Sequence, residues 1–166
     1  MFIYKCYFLL IYIFKYMPKI KALITGITGQ DGAYLAKLLI EKGYIVVGGE
    51  RENASNNRWR LRELNIENKI RFIPFELLEE NVINKQIRFG QYDEVYNLAA
   101  QSFVDKSFNS PVYTSNVNSL GVTRLLEAIR QFSKKTRVYQ ASSSEMFGNV
   151  NSLNHDESTS FEPVSP

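Results

Sequence analysis

The stretch Thr25-Gly26-Ile27-Thr28-Gly29-Gln30-Asp31-Gly32 decides the fold of this chain. It follows a short apolar run, Ile20 to Ile24, and it precedes a run of helical periodicity, Tyr34 to Lys42. Glycines at this spacing allow a strand to turn tightly into a helix, and the N–H groups at the start of that helix can hold the pyrophosphate of a dinucleotide. Any tight strand-to-helix turn can use glycine, so the motif gains its weight from lying between two well-formed elements.

Each glycine of this motif has an expected task. Gly26 is predicted to make the turn, Gly29 to let the backbone approach the phosphates, and Gly32 to let the helix pack closely on the sheet. The sequence therefore predicts a dinucleotide cofactor at this point in the chain.

The composition is that of an ordinary globular chain. Its 166 residues give room for one domain with a sizeable core, and its net charge of +3 arises from interspersed lysines and arginines. This balance gives no ground for nucleic-acid binding. A single cysteine, Cys6, excludes an intrachain disulfide and offers no metal cluster, and the single histidine, His155, lies in a polar stretch typical of an exposed loop. The chemistry is therefore expected from hydroxyls, carboxylates and a cofactor in the cytoplasm.

The first segment, Met1 to Met17, differs from the rest in its density of aromatic and aliphatic residues. Its longest uncharged stretch, Cys6 to Phe14, is shorter than the roughly 20 apolar residues of a membrane span. No small-residue cleavage site of a secretory signal follows it. We interpret Met17 as the start of translation and residues 1–17 as a hydrophobic leader upstream of it, with a weak interfacial anchor as the alternative. No membrane association is expected of the rest.

From residue 18 onward, strand-like and helix-like runs alternate. This alternation predicts an α/β fold, a Rossmann-type doubly wound parallel sheet in a domain of residues 18–166. The predicted strands are Lys19–Thr25, Tyr44–Gly49, Ile70–Phe75, Asp93–Ala99 and Thr136–Ser142, and the predicted helices are Asp31–Lys42, Asn56–Asn65, Glu79–Phe89 and Pro111 to about Phe132.

The last of these helices has a recognisable start. Ser110 is a good N-cap residue and Pro111 suits the first helical position. Gly121 is unexpected inside a helix, and it predicts close packing against a bulky neighbour.

In a doubly wound sheet the ligand lies at the carboxyl ends of the strands. The segments of chemical interest all fall at such ends: Gly26 to Gly32, Gly49 to Ser55, Leu98 to Ser102 and Ser142 to Glu145.

The end of the second strand bears on cofactor choice. Arg51 stands where the adenosine ribose of a dinucleotide is expected, and a guanidinium there can bind the 2′-phosphate of NADP. Glu50, one residue earlier, is a carboxylate of the kind that holds the ribose of NAD. We favour Arg51 and NADP because Asn53, Ser55 and Asn56 add hydrogen-bond donors nearby, while an exposed loop arginine is the alternative.

A second polar segment, Ser142 to Glu145, follows the fifth strand. A hydroxyl there can bind a substrate hydroxyl, and a carboxylate two residues on can act as an acid or base. A polar turn capped by serines explains the same spacing.

The runs GITGQDG (residues 26–32), NLAAQS (97–102) and SSEMFG (143–148) occur in this order. Together with their flanking sequence, from Ile20 to Pro166, they resemble the GDP-mannose 4,6-dehydratases, which are extended short-chain dehydrogenase/reductases of the NAD-dependent epimerase/dehydratase family. The resemblance implies conversion of GDP-mannose to GDP-4-keto-6-deoxymannose and water. It implies that NADP exchanges a hydride with C4 and then C6 of the sugar, while a glutamate removes the C5 proton. A homo-oligomer, dimer or tetramer, is also implied.

The resemblance assigns roles residue by residue. Glu145 matches the catalytic glutamate, and Ser143 stands where the family usually has threonine, so the hydroxyl is kept. The implied cofactor-binding residues are Gly26, Ile27, Thr28, Gly29, Gln30, Asp31, Gly32, Arg51, Glu76, Leu77, Leu98, Ala99, Ala100, Gln101, Ser102 and Tyr113.

Some positions depart from the family pattern. Glu76-Leu77 replaces Asp-Leu against the adenine, so the longer carboxylate is expected to shift that contact. Arg51 is followed by Glu52 and Asn53 rather than by a second basic residue and serines. The resemblance places this region at a subunit contact, so the departure weakens the expectation of a tetramer. The family continues from Ser165-Pro166 into Tyr-x-x-x-Lys, whose tyrosine is the base for the C4 hydroxyl. The domain is therefore expected to be incomplete at its C-terminal end, before the substrate-binding region, and this polypeptide alone is expected to give no 4-keto product from GDP-mannose and NADP⁺.

Two other functions stay open from the sequence. One is a related nucleotide-sugar epimerase or dehydratase that uses NAD, which a comparison of NADP and NAD binding would separate. The other is a non-catalytic dinucleotide-binding protein.

Overall fold

The computed structural model describes residues 19–51, 57–148 and 154–166. The predicted leader, residues 1–17, lies outside the described residues, as do the donors Asn53, Ser55 and Asn56 that follow the second strand. The regular elements are β1 (Lys21–Thr25), α1 (Gln30–Glu41), β2 (Ile45–Glu50), α2 (Trp59–Glu63), β3 (Arg71–Pro74), α3 (Glu80–Gly90), β4 (Glu94–Asn97), α4 (Val104–Asn109), α5 (Pro111–Ser115), α6 (Gly121–Phe132) and β5 (Arg137–Gln140), with single 3₁₀ turns at Glu67–Lys69 and Ser144–Phe147.

The sheet confirms the predicted doubly wound topology. Its order is β3-β2-β1-β4-β5, and every neighbouring pair is parallel. The chain builds outward from β1 to β3, returns across the sheet, and continues from β4 to β5. The strand order therefore reverses between β1 and β4, and the crevice at this reversal is where open α/β sheets bind ligands.

Helices cover both faces of the central strands. Alternate residues of β1 point to opposite faces, so Leu23 joins one buried cluster while Ala22 and Ile24 join the other. Helices α3 and α6 complete the first cluster, with Ile83, Ile87, Leu125, Ala128 and Ile129; helices α1 and α2 complete the second, with Ala33, Ala36, Leu39 and Leu61. This burial holds the carboxyl ends of β1 and β4 in fixed positions.

The predicted long helix is continuous from 111 to 132, but it contains a π-helical turn at Asn116–Leu120. Pro111 occupies its first position, as expected, although the Ser110 side chain makes no capping hydrogen bond. Gly121 packs on Leu77 as its presence in a helix predicts, because a Cβ at Gly121 would stand 2.9 Å from the Cβ of Leu77. Arg124 donates to the carbonyl oxygen of Asn116 at 3.3 Å and to that of Leu77 at 3.2 Å, so it links the π-helical turn to the segment after β3.

Helix α4 and the 3₁₀ turn at Ser144–Phe147 were not predicted. Helix α4 has six residues and the 3₁₀ turn has four, so neither is long enough to show a hydrophobic period. Among the described residues, no helix is long and apolar enough to cross a membrane.

Tyr96, within β4, gives the fold a measurable response to alkaline pH. The Tyr96 hydroxyl donates to Glu94 at 2.7 Å, and Glu94 also pairs with Arg137. Burial, followed by the hydrogen bond to Glu94, raises the pKa of Tyr96 to about 12. In the unfolded chain a tyrosine ionises at about 10, so the stabilisation is complete below about pH 10 and is lost as pH rises toward the folded value.

We therefore expect the free energy of unfolding in urea to fall between pH 10 and 12, and the Tyr96→Phe variant to show a shallower fall. The exposed Tyr139, replaced by phenylalanine, is the matched control and should keep the wild-type slope. Equal slopes for Tyr96→Phe and wild type would contradict the role given to Tyr96.

Candidate cofactor-binding and active site

The turn between β1 and α1 depends on Gly26. Its φ of +67° lies in the left-handed region, and the Gly26 carbonyl oxygen accepts a hydrogen bond from Gly29 N at 2.9 Å. A Cβ on Gly26 would stand 2.9 Å from Ala99 N and 3.0 Å from the Leu98 carbonyl carbon. The turn therefore lies directly against the backbone that leaves β4, and no larger residue fits there.

Gly32 allows a second close approach. A Cβ on this residue would stand 2.8 Å from the Cα of Ile27, and closer still to the Gly26 carbonyl oxygen. The prediction placed this close contact against the sheet, whereas the nearest atoms belong to the turn itself. Gly32 thus fixes how tightly α1 folds back on its own turn.

The start of α1 presents donors for an anion. Gly29 is its N-cap and is exposed, and as a glycine it has no side chain that could cap the helix end. The backbone N–H groups of the first turn of this 12-residue helix have no partner within the helix, and the helix dipole favours negative charge beside them. Gln30 and Asp31 of this turn are exposed, while Ile27 is fully buried and anchors the turn in the core. The donors and the open backbone fit a pyrophosphate group.

A chain of buried polar side chains ties three strand ends together. The Thr25 hydroxyl donates to Asn97 Oδ1 at 2.6 Å and accepts from Ala99 N at 3.1 Å. Asn97 Nδ2 then donates to Gln140 Oε1 at 2.7 Å. Thr25 and Asn97 are almost completely buried, at 1% and 0% exposure, so breaking the chain would leave costly unpaired groups. Sequence reasoning missed this network, although a threonine and an asparagine ending two apolar strands was the available signal.

The segment after β4 is fixed by a residue that the sequence analysis missed. Gln101 N donates to Asn118 Oδ1 at 2.8 Å, and Asn118 Nδ2 donates to the Gln101 carbonyl oxygen at 2.9 Å. Asn118 lies in the π-helical turn, where it meets the loop backbone with both ends of its amide. The predicted residues of this segment differ in exposure, with Leu98, Ala99 and Gln101 half-buried and Ala100 and Ser102 exposed.

At the end of β2, the two side chains that bear on cofactor choice, Glu50 and Arg51, differ in their contacts. Glu50 accepts two hydrogen bonds from Arg58, from Nε at 3.0 Å and from Nη2. The Arg58 guanidinium stacks over the Phe72 ring at 3.7 Å, and the hydrogen bond that Arg58 donates to Glu50 raises the pKa of Arg58. Arg51 is exposed, and it forms no ion pair with any residue that the structure describes.

Arg60, which lies in helix α2, reaches the glycine turn. Arg60 Nη1 donates to the Thr28 carbonyl oxygen at 3.2 Å. This contact places a cation beside the first turn of α1, and nothing in the local sequence pattern indicates it.

Of the predicted residues Glu76, Leu77 and Tyr113, the last two lie on the side of the sheet covered by α3 and α6. Leu77 is 3% exposed and is packed into that core, and Tyr113 is half-buried against the same core. Glu76 is half-buried at the turn that follows β3, where its carbonyl oxygen accepts from Glu79 N at 3.0 Å. The contact of these residues with a cofactor stays a prediction.

The turn after β5 carries Ser143 and Glu145, both exposed. Ser142 has a φ of +60°, a strained value for a residue with a side chain, so the chain leaves the strand through an unfavourable backbone state. The Ser143 hydroxyl accepts from Glu145 N at 3.1 Å, which is the turn-capping contact considered as the alternative in the sequence. The Glu145 carboxylate itself makes no hydrogen bond to the residues that the structure describes.

The C-terminal segment supports this turn from outside. Glu162 N donates to the Met146 carbonyl oxygen at 2.9 Å. The Phe147 ring stacks on His155, with 4.7 Å between ring centres, and meets Phe161 edge-on at 5.6 Å. His155 is exposed, as expected, and it has a packing role in this cluster.

These contacts bring the described parts of four predicted segments to one edge of the sheet. The glycine turn touches the segment after β4 through Gly26 and Ala99, and the turn after β5 joins β4 through a hydrogen bond from Ala141 N to the Asn97 carbonyl oxygen at 3.2 Å. The end of β2 is the neighbour of β1 on the other side, with Gly49 paired to Thr25. This arrangement is suited to hold an extended nucleotide along the edge, with a hydroxyl and a carboxylate at one end of it.

Comparison with known proteins agrees with the geometry. A family model described as GDP-mannose 4,6 dehydratase matches residues 23–166. The GDP-mannose 4,6-dehydratase of Vibrio cholerae serotype O1 is 46% identical over 157 residues, which are 90% of this chain and 42% of that protein. The human GDP-mannose 4,6 dehydratase is 41% identical over 90% of this chain and 42% of its own length. The chain thus spans less than half the length of these relatives.

Solved structures share the fold. The UDP-Glc/GlcNAc 4-epimerase of Campylobacter jejuni superposes with a TM-score of 0.78 at 16% identity, over 88% of this chain and 44% of its own. The UDP-glucose 4-epimerase of Brucella ovis, solved in complex with NAD, gives 0.75 at 23% identity, over 88% of this chain and 42% of its own. These superpositions support the fold, and the family model matches residues 23–166. This chain belongs to the GDP-mannose 4,6-dehydratase family.

Proposed function

We propose that this chain carries the cofactor-binding part of a GDP-mannose 4,6-dehydratase, which converts GDP-mannose to GDP-4-keto-6-deoxymannose and water with NADP as cofactor. The observation that supports it most is the meeting of the glycine turn with the backbone after β4, at the point where the strand order reverses. Relatives of this name match 90% of the chain.

The cofactor would lie along the carboxyl edge of the sheet. The first turn of α1, from Gly29 to Gly32, would hold its pyrophosphate, and the segment from Leu98 to Ser102 would line the path beside it. When bound, the nicotinamide would supply a site that accepts a hydride and later returns it. The proposal also includes contacts of the cofactor with Glu76, Leu77 and Tyr113.

The phosphorylated cofactor is proposed because of the two side chains at the end of β2. The carboxylate that would hold an unmodified ribose, Glu50, is occupied by Arg58, while Arg51 next to it is exposed. A free guanidinium can bind a 2′-phosphate through two parallel hydrogen bonds.

The chain's own contribution to the chemistry would come from the turn after β5. Glu145 would take the proton from C5 of the sugar once C4 is a ketone, because a ketone acidifies the neighbouring C–H bond. The C6–O bond would then break as a C5–C6 double bond forms, and the hydroxyl would leave as water with the proton that Glu145 took from C5. The hydride returned to C6 and a solvent proton added at C5 would then saturate this double bond. Ser143 would hold a sugar hydroxyl by a hydrogen bond, which keeps C5 within reach of the carboxylate.

The test is an activity assay on the protein expressed from the complete gene. Incubation with GDP-mannose and NADP⁺ should give a product that has lost one water and carries a keto group, detected by mass spectrometry, with no net consumption of cofactor. Parallel incubation with UDP-glucose and NAD⁺ should give no product. Turnover of UDP-glucose instead would favour the epimerase, and absence of turnover with both sugars would favour a non-catalytic dinucleotide-binding protein.

The proposal also includes assembly into a homo-oligomer and a location in the cytoplasm, both because of the resemblance to the family.

A further inference from the structure

We propose that Arg58 sets the cofactor preference of this site, because it occupies Glu50, the carboxylate at the end of β2 that would otherwise select an unphosphorylated ribose. This inference rests on the proposed function, and it concerns a residue to which the sequence pattern gives no role. Arg58 acts through Glu50 and is therefore a positioning residue rather than a contact of the cofactor.

Glu50 lies about 20 residues beyond the glycine turn, at the end of the second strand, where an acidic side chain accepts the ribose 2′-hydroxyl in NAD-binding proteins of this topology. Its backbone is fixed there, since the Glu50 carbonyl oxygen accepts from Phe75 N at 2.8 Å. A free carboxylate at this place would attract a hydroxyl donor and repel a phosphate. A site with Glu50 unpaired would therefore favour NAD.

Arg58 neutralises this carboxylate in a fixed geometry. Its Nε and Nη2 atoms bind the two different oxygens of Glu50, so both ends of the carboxylate are engaged. Three further constraints hold the guanidinium in place: its stacking over Phe72 at 3.7 Å, its partial burial, and Glu67 Oε1 at 3.7 Å from Nη1. A guanidinium held on three sides does not exchange readily between partners, so Glu50 stays occupied.

The neighbouring cation completes the selection. Arg51 follows Glu50 directly, and it is exposed. With Glu50 neutralised by Arg58, Arg51 is a cation beside the expected ribose position that suits a phosphate and offers an unmodified ribose no comparable contact. Arg58 thus removes the repulsion between Glu50 and a phosphate, while Arg51 supplies the attraction.

The experiment measures the dissociation constants of NADP⁺ and NAD⁺ for the chain and for its variants by calorimetry. Arg58→Met keeps the apolar stem on Phe72 but frees Glu50, and it should lower the preference for NADP⁺ over NAD⁺ by about tenfold. Adding Glu50→Gln to this variant should restore the wild-type preference to within about threefold. Arg62→Ala is the matched control, because Arg62 lies on the same helix and also approaches Glu67, at 3.6 Å, but does not touch Glu50. It should leave the preference unchanged.

An unchanged preference in Arg58→Met would overturn the inference, and so would a double variant as impaired as the single one. Circular dichroism checks that each variant is folded. If Arg58→Met unfolds, Arg58→Lys keeps a cation without the two-pronged contact, and an intermediate preference is then expected while a wild-type preference overturns the inference. Because the measured quantity is the change in preference, it is interpretable whichever cofactor the unaltered chain prefers. Failure of the unaltered chain to bind either nucleotide would instead contradict the proposed function.

Discussion

Replacing Gly32 with alanine is expected to lower the free energy of unfolding by about 3 kcal/mol, because the added methyl group has no room. The new Cβ would stand 2.8 Å from the Cα of Ile27, and the obstructing atoms are backbone that cannot rotate away. Relief requires α1 to move off its turn, which also displaces the N–H groups proposed to hold the pyrophosphate. Urea denaturation measures the first effect, and calorimetric titration with NADP⁺ measures the second, expected as a loss of at least about 100-fold in affinity.

Two other positions on this element separate packing from ligand approach. Lys37→Ala, on the exposed face of α1, should change stability by less than about 0.5 kcal/mol and leave affinity unchanged. Gly29→Ala has an ordinary φ of −69° and meets only the Gly26 carbonyl oxygen at 3.2 Å, so it should fold while binding the cofactor about tenfold more weakly. Wild-type stability in Gly32→Ala would show that the turn has more freedom than the structure gives it.

Replacing Glu145 with glutamine should reduce turnover of GDP-mannose, in the protein expressed from the complete gene, by roughly 100-fold or more. The amide has almost the same shape as the carboxylate but cannot accept the C5 proton. Since Glu145 is exposed and its carboxylate makes no hydrogen bond to the described residues, the change should leave the folded state intact. A steady-state assay should show a fall in kcat with little change in KM.

Glu41→Gln is the control for this substitution, because it removes an exposed carboxylate from the end of α1, away from the turn after β5. Its turnover should equal that of the wild type. Exchange of the C5 hydrogen with solvent deuterium should also be lost in Glu145→Gln. Full turnover in this variant would mean that another group removes the proton.

Local signals in the sequence were sufficient for the architecture. The glycine spacing at residues 26–32 predicted the turn, and the structure shows a physical reason at Gly26, whose positive φ and contact with Ala99 both exclude a side chain. Gly121 predicted a tight contact inside a helix, and Leu77 is that contact. Glycine is informative in these places because it is costly elsewhere in regular structure.

Features that depend on partners distant in sequence were missed. The ion pair of Arg58 with Glu50 joins the start of a short helix to a strand end, and the two hydrogen bonds between Asn118 and Gln101 join a helix to a loop. Neither arginine nor asparagine carries a periodic signal that points to its partner. The π-helical turn that positions Asn118 was likewise invisible, because one extra residue in a helix hardly changes its hydrophobic pattern.

The candidate site could be predicted from the sequence in part, in its location but not in its side-chain contacts. The order of strands and helices predicted all four segments at one edge, and the structure places the described parts of these segments there. What each side chain does there depends on contacts a few ångströms long, such as the hydrogen bond between Ser143 and Glu145 N, which strand order alone does not specify.

A titration of the isotope-labelled chain with NADP⁺, followed through its backbone amide resonances, tests the central claim most directly. We predict that the amides of Gly26–Gly32 and Leu98–Ser102 shift together, and that they saturate at a lower concentration of NADP⁺ than of NAD⁺. Saturable shifts confined to other parts of the chain, or tighter binding of NAD⁺, would contradict a phosphorylated dinucleotide at the carboxyl edge of this sheet.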